Sequence, residues 1–376
     1  MTDGGLLSDP ERFTQVRSPL GRARGLPAEC YTDPGFRAAE LSRVFAASWN
    51  LVGRLDELPT PGDYRAIHTA FGSVLLLRGE DGVLRAFANT CRHRGTRLAE
   101  GAGNAAALVC LRHGWTYGLD GRLTAAPGIA AHGFTPGDYG LTALPTAHWQ
   151  GFLFIGIEPP AEDPETAFHD LSALLGSHRL GQMVCVHRVE RRIACDWKLA
   201  VENGVEEYRA GTAPNTTRAR LASLGPAYGA MVQDGVGAAL AEDAMALPPI
   251  PGLSAPGRRA SYVAALFPST ILHCTRDCAW WLSAQPDGPG ACRVTLGACV
   301  PASSATEADF EARIAPYRRR WDAALEADVA IMEKRQAGLS GCGAGGSGAG
   351  GPFAPSEILV HRFANWLLDR VLVGSA

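Results

Sequence analysis

The segments Asn89-Thr-Cys-Arg-His-Arg-Gly95 and Cys110-Leu-Arg-His-Gly-Trp-Thr-Tyr117 decide how this chain is read. They place Cys91-x-His93 and Cys110-x-x-His113 sixteen residues apart, one thiol and one imidazole on each of two short loops. Two thiolates and two neutral imidazoles are the donor set of a [2Fe–2S] centre in which two Cys hold one iron and two His the other. Zinc accepts the same donors. Its sites, however, usually pair C-x₂₋₄-C with H-x₃₋₅-H, whereas here each loop carries one donor of each kind. The interleaving favours the iron–sulfur reading, with Cys91, His93, Cys110 and His113 as ligands.

The rest of the composition is consistent with a folded redox protein. The chain has 376 residues, a length that favours two domains, and it is 46% hydrophobic and 19% charged, which excludes a disordered or fibrous polymer. No apolar run approaches the roughly 18 residues of a membrane-spanning helix. A net charge of −3 gives no electrostatic footprint for nucleic acid or an anionic membrane. Met1 to Pro10 lacks the basic and apolar regions of a secretory signal, so a cytoplasmic location is expected. The ten cysteines are then read as thiols and metal ligands rather than disulfides. Lysine occurs only at Lys198 and Lys334, and we read this as coding bias rather than function.

Texture along the chain divides it in three. Residues 1–45 form an arm ending in an amphipathic helix, because Phe36, Leu41, Val44, Phe45 and Trp49 recur at roughly helical spacing. Residues 46–160 carry short β-like runs such as Ser73-Val-Leu-Leu-Leu77 and Gly151-Phe-Leu-Phe-Ile-Gly156. Between them stand turn signals at Pro61-Gly62-Asp63, Asp81-Gly82, Asp120-Gly121 and Pro127-Gly128, the pattern of a small all-β domain. Glu158 to Pro164 reads as a domain edge. Residues 161–376 mix helices (about 196–210, 305–339 and 356–372) with strands (261–267 and 292–300), an α+β domain. The proline-rich stretch 246–256 reads as a surface loop, and the glycine-rich stretch 341–352 as a flexible one.

The two loops, with Leu119-Asp-Gly121 after them, resemble the Rieske domain of aromatic-ring-hydroxylating and choline-monooxygenase-type oxygenases. Tyr31-Thr-Asp-Pro34, Phe45-Ala-Ala-Ser-Trp49 and Trp149-Gln-Gly-Phe-Leu-Phe154 extend the similarity over nearly the whole chain. Leu111 replaces a proline common in the second loop. The resemblance implies an N-terminal all-β Rieske [2Fe–2S] domain after a helical arm. It also implies a C-terminal α+β, helix-grip-like oxygenase domain with an antiparallel sheet.

Members of this family also hold a mononuclear iron(II) on two His and one carboxylate. The helix that bears those histidines resembles residues 196–214, where Trp197, Lys198, Glu202, Asn203, Glu206 and Tyr208 keep the framework E-N-x-x-E/D-x-Y-H-x-x-x-x-H. Both histidines are replaced. Arg209 stands at the first position, and its guanidinium has no lone pair for a metal. Pro214 stands at the second with no donor, and a shift by one residue reaches only Asn215. Asp328 resembles the carboxylate ligand, and Glu206 the acid that bridges a neighbour's Rieske histidine to the iron; either reads equally well as an ordinary exposed helix acid. The mononuclear Fe(II) is therefore expected to be absent, with Arg209 in its place as the cation for Asp328 and Glu206. A rebuilt site using His273 with Asp328 and Glu206 is conceivable, while Cys274 and Cys278 read as buried thiols.

Because the family assembles as trimers that pass electrons between subunits, a chain with a cluster and no iron can still serve a neighbour. The resemblance implies a homo- or hetero-trimer with a Rieske oxygenase paralogue and a ferredoxin or flavin reductase as electron donor. The leading expectation is an electron-relay and structural partner of an iron-bearing subunit. The alternatives are a stand-alone hydroxylase or monooxygenase with a non-standard metal site, and a plain electron carrier.

Overall fold

The computed structural model describes residues 5–129, 134–158, 162–205, 219–234, 247–341 and 350–372. In the first domain, a five-stranded antiparallel sheet runs in the order 102–104, 63–69, 72–78, 84–88, 143–144. Its central strand, Gly72–Arg78, contains four consecutive apolar residues, Val74 to Leu77, all buried. Side chains alternate across a strand, so Leu75 and Leu77 enter one core with Phe87, Cys91, Cys110 and Tyr117, while Val74 and Leu76 enter a second core with Val52 and Ile67. A three-stranded unit (108–109, 116–117, 123–125) forms the tip that carries the second Cys/His loop. The Asp120-Gly121 turn is required there: Gly121 has φ +84°, and a Cβ on it would stand 2.4 Å from the Phe87 ring.

The second domain is built on a seven-stranded antiparallel sheet in the order 183–193, 292–301, 279–286, 270–274, 260–266, 228–234, 219–225. One face buries Val263, Ala265, Val294 and Ala298 against three helices, α1 (Trp197–Val205), α2 (Phe310–Gly341) and α3 (Ile358–Val371). The opposite face buries Tyr262, Ala264, Leu266 and Trp281 against Leu51, Trp149, Phe152 and Phe154 of the first domain. Trp281 meets Phe152 edge-on at 5.3 Å and lies over Gly297, where a Cβ would come within 2.0 Å of the indole. Among the described residues no helix is long and apolar enough to cross a membrane.

Three local expectations are refined. Residues 247–254 are irregular with Pro249, Pro251 and Gly252 exposed, as a surface loop requires, but Leu247, Ile250 and Leu253 are buried and pin the loop to the core. Three-residue spacing points these three inward while the prolines between them stay at the surface. The arm helix, Pro34–Ala39, continues as a π-helical turn, Glu40–Phe45, and Glu40, one turn on from buried Phe36, is itself in the core at 1% exposure. The glycine-rich stretch is ordered at both ends: Gly341 closes α2, and the Gly351 carbonyl accepts a hydrogen bond from the Gly25 N–H. A Cβ on Gly350 would be 2.5 Å from the Gly25 Cα, so the glycines permit backbone-to-backbone contact. Residues 342–349, the middle of the stretch, lie outside the described residues.

His178 is buried at 1% exposure, edge-on to Tyr262, and burial pushes its imidazole down to about 4. The unfolded chain protonates this residue near 6.5 while the folded chain does not. Stability is therefore expected to fall as pH drops from about 6.5 to about 4 and to level below that. In His178→Phe that component of the acid slope should vanish in denaturant titrations across the window; an unchanged slope would assign the acid sensitivity elsewhere.

Candidate functional site

The two loops at the tip are the same turn built twice. Cys91 N–H donates to the Thr96 carbonyl and Gly95 N–H to the Cys91 carbonyl, at 2.8 and 2.9 Å. Cys110 N–H donates to the Trp115 carbonyl and Gly114 N–H to the Cys110 carbonyl, again at 2.8 and 2.9 Å. Gly95 and Gly114 both hold positive φ, +76° and +70°, where a side chain would be strained. The difference between C-x-H and C-x-x-H is thus a one-residue offset of the imidazole on a common backbone. Asn89 anchors the first loop: its Oδ1 accepts from the Leu98 and Ala99 N–H groups, and its Nδ2 donates to the Ala99 carbonyl.

The turns bring all four candidate ligands to one end of the domain. Cys91 and Cys110 are buried, and the rings of His93 and His113 meet edge-on with centroids 4.6 Å apart. Burial raises the Cys110 thiol, but the N–H groups of Arg112 and His113 and the Cys91 sulfur outweigh it and hold it below its ordinary value. Tyr117, buried beneath, accepts from the Arg92 N–H at 2.9 Å and stands 3.4 Å from Cys91 Sγ, leaving its own proton to the sulfur.

A [2Fe–2S] cluster fits this donor set. Nδ1 of His93 is buried and has no hydrogen-bond partner among the described residues, an orphan that a metal bond would satisfy. Zinc would need four donors around one centre, whereas two irons divide the four donors between them.

In the second domain, the described part of α1 is fixed at both ends by ionic groups. Lys198, with no exposed surface, donates to Glu40 Oε1 at 2.6 Å and lies 2.7 Å from Asp196 Oδ1, with the Tyr31, Phe36 and Trp197 rings around its ammonium. One turn on, Glu202 accepts from Tyr31 Oη at 2.5 Å and from Arg335 Nη2 at 2.8 Å. These contacts tie the arm, α1 and α2 together. Asp328 lies on the inner stripe of α2 with Leu325, Met332 and Gln336, at 8% exposure; it is not an exposed helix acid. His273 stacks on Trp280 at 4.8 Å and 3° in the strand Thr270–Cys274. Cys274 and Cys278 have no exposed surface, and burial raises both thiols far above their ordinary value. Glu206, Arg209 and Pro214 lie outside the described residues, and with them the expected pairing of Arg209 with Asp328.

Sequence reasoning assigns no role at the site to Tyr117 and Trp115, and it places Lys198 in the helix framework without the Lys198–Glu40–Asp196 group that buries it. The signal for the last was the scarcity of lysine, which we took for coding bias. A lysine retained at a fully buried position in an arginine-rich chain is a compact point charge where a guanidinium fork would not fit.

Comparison with known proteins adds to this geometry. Residues 180–372 match the family described as ring hydroxylating alpha subunit (catalytic domain), and residues 48–145 match the Rieske [2Fe-2S] domain. The glycine betaine monooxygenase oxygenase subunit of Chromohalobacter salexigens is 36% identical over 186 residues, which is 49% of this chain and 41% of that protein. The chloroplastic choline monooxygenase of Arabidopsis thaliana is 34% identical over 197 residues, 49% of this chain and 47% of the other. The chain spans about half the length of the curated relatives it matches. Among solved structures, the quaternary ammonium Rieske monooxygenase CntA in complex with gamma-butyrobetaine aligns with a TM-score of 0.77 at 22% identity, covering 95% of this chain and 97% of that one. Naphthalene 1,2-dioxygenase from Rhodococcus sp. bound to indole aligns with a TM-score of 0.78 at 19% identity, over 97% and 98% of the two chains. Both share the fold.

Proposed function

This chain belongs to the ring-hydroxylating oxygenase alpha-subunit family, and from that premise we propose that it is an electron-relay and structural subunit working beside an iron-bearing paralogue in a trimer. The observation that carries the reading is the donor chemistry at 209 and 214, arginine and proline where the family needs two imidazoles. Bound to Cys91, His93, Cys110 and His113, a [2Fe–2S] cluster supplies one-electron storage and transfer. The protein's own contribution is to fix those side chains on two matched turns, bury the thiols and present the edge of His113 to solvent.

Around that edge Arg92, Arg94 and Arg112 are exposed, and Leu111 stands 94% exposed between Cys110 and Arg112. A cationic rim with an apolar centre suits an acidic ferredoxin or flavin reductase as the electron donor, since complementary charge speeds encounter. A cytoplasmic location accords with that donor. Arg209 would replace the iron as the cation for Asp328, whose burial makes an uncompensated charge expensive.

Iron content tests the proposal. The anaerobically purified chain is expected to hold about two irons and two acid-labile sulfides, against about three irons for a member with an intact mononuclear site. Arg209→His with Pro214→His should raise uptake by about one iron, provided Asp328 faces the restored imidazoles. Three irons in the unmodified chain would favour the second reading, a stand-alone hydroxylase or monooxygenase. That reading draws on the buried Asp328 and on His273, which would be the first residue to replace.

A further inference from the structure

We propose that Trp115 is a positioning residue for the cluster: its indole fixes the plane of the His93 imidazole and joins the two ligand loops into one unit. The inference rests on the reading of the tip as a [2Fe–2S] site. The Trp115 ring lies parallel to His93, with centroids 4.7 Å apart and an interplanar angle of 7°, and it is only 2% exposed. Its own orientation is set from the sides by Phe134 at 5.9 Å and Tyr139 at 5.6 Å, both edge-on. Its main chain belongs to the other loop, because the Trp115 carbonyl accepts the Cys110 N–H that closes the second turn. One residue thus closes the turn of Cys110 and His113 while its side chain lies flat against the ligand of the Cys91 turn.

The two imidazoles are consequently unequal. His113 is exposed and touches the edge of His93, whereas His93 is half-buried with one face covered by the indole. An imidazole turns about two side-chain bonds, and a flat partner pressed on one face removes most of that freedom before a metal arrives. Preorganised ligands of this kind lower the ordering cost of binding. Trp115 Nε1–H is also buried without a partner among the described residues. It is left beside the ligand whose Nδ1 is likewise unspent.

The test compares Trp115→Leu and Trp115→Phe with the unmodified chain, all purified anaerobically, by iron and sulfide content, EPR of the reduced protein and the rate of iron loss to a ferrous chelator. Trp115→Leu keeps all four ligands, so it is expected to contain cluster, but with shifted or broadened g-values and chelator loss about ten-fold faster, the scale of effects at residues that orient ligands. Trp115→Phe keeps a flat ring on His93 and should stay near the unmodified g-values and loss rate. Leucine behaving like tryptophan in both measurements overturns the proposal, and so does phenylalanine behaving like leucine. If Trp115→Leu does not accumulate folded, Trp115→Phe decides alone: retained g-values support the stack, and moved ones overturn it. Absence of iron and sulfide from the unmodified chain would instead overturn the cluster reading beneath the proposal, a result distinct from any behaviour of the variants.

Discussion

Serine in place of Cys91 is expected to give a colourless protein with no rhombic Rieske-type EPR signal on reduction, its iron falling from about two per chain toward zero. Cys91 is 2% exposed, its backbone is fixed by bonds at both N–H and carbonyl, and the Tyr117 hydroxyl stands 3.4 Å from its sulfur. Serine fits that space. What it lacks is a soft, readily ionised sulfur, since an alkoxide is not accessible near neutral pH. Nothing nearby can take over, because the remaining thiol of the tip, Cys110, belongs to the other turn. Replacing His113 with cysteine should be milder in content and larger in potential: an added thiolate puts more negative charge on the cluster and lowers its potential. Iron and sulfide analysis with EPR decides the matter. A Cys91→Ser chain that keeps a full cluster would remove Cys91 from the ligand set, and an unmodified chain holding one zinc would end the iron–sulfur reading.

The parts of this molecule that were legible in the sequence are those where a short segment determines its own chemistry. Two Cys/His loops reveal a metal site because donors are recognisable in isolation, and the Val74–Leu77 run announces a strand buried on both faces. Asp328 shows the limit. As a letter in a helix it is an acid of either fate, and only the packing of Leu325, Met332 and Gln336 on the same stripe makes it buried. In the 247–253 stretch the proline content reveals the loop, whereas the inward spacing of Leu247, Ile250 and Leu253 that anchors it is read only with the core in place. Glu40 was hidden for a different reason. It sits four residues beyond buried Phe36, on the inner face of the same helix, but nothing local names Lys198, the distant cation that lets a carboxylate be buried there. Long-range pairs such as Tyr31 with Glu202 leave no local trace at all.

Lys198→Met is expected to cost about 3–5 kcal/mol of folding stability, the range for removing one partner from a buried ionic group. Methionine nearly fills the volume, so the loss is electrostatic rather than a cavity. In the folded chain burial lowers the proton affinity of Lys198, but Asp196 and Glu40 outweigh it and raise it above the ordinary lysine range. Burial pushes the Glu40 carboxyl up to about 7 even with Lys198 beside it. Between the unfolded value of about 4.5 and that folded value, the native state holds a proton that the unfolded chain has released. Stability contributed by Glu40 is therefore present below about 4.5 and is lost as pH rises through about 7. Removing Lys198 takes away the charge that favoured ionised Glu40, so this loss should extend further upward in the variant. Denaturant titrations should find the Lys198→Met penalty smaller at pH 6 than at pH 8.5, and Lys198→Met with Glu40→Gln should recover part of it, a coupling that separate sites would not show. A penalty under about 1 kcal/mol, or one equal at both pH values, would mean the three groups are not coupled as their distances indicate. The stakes reach beyond stability. Lys198 and Glu202 hold successive turns of α1 to the arm and to the helix carrying Asp328, and α1 leads directly into the segment with Glu206 and Arg209. A chain under no demand to keep that segment placed would have little reason to bury a lysine between two carboxylates, because a hydrophobic replacement of the whole group would stabilise the fold as well.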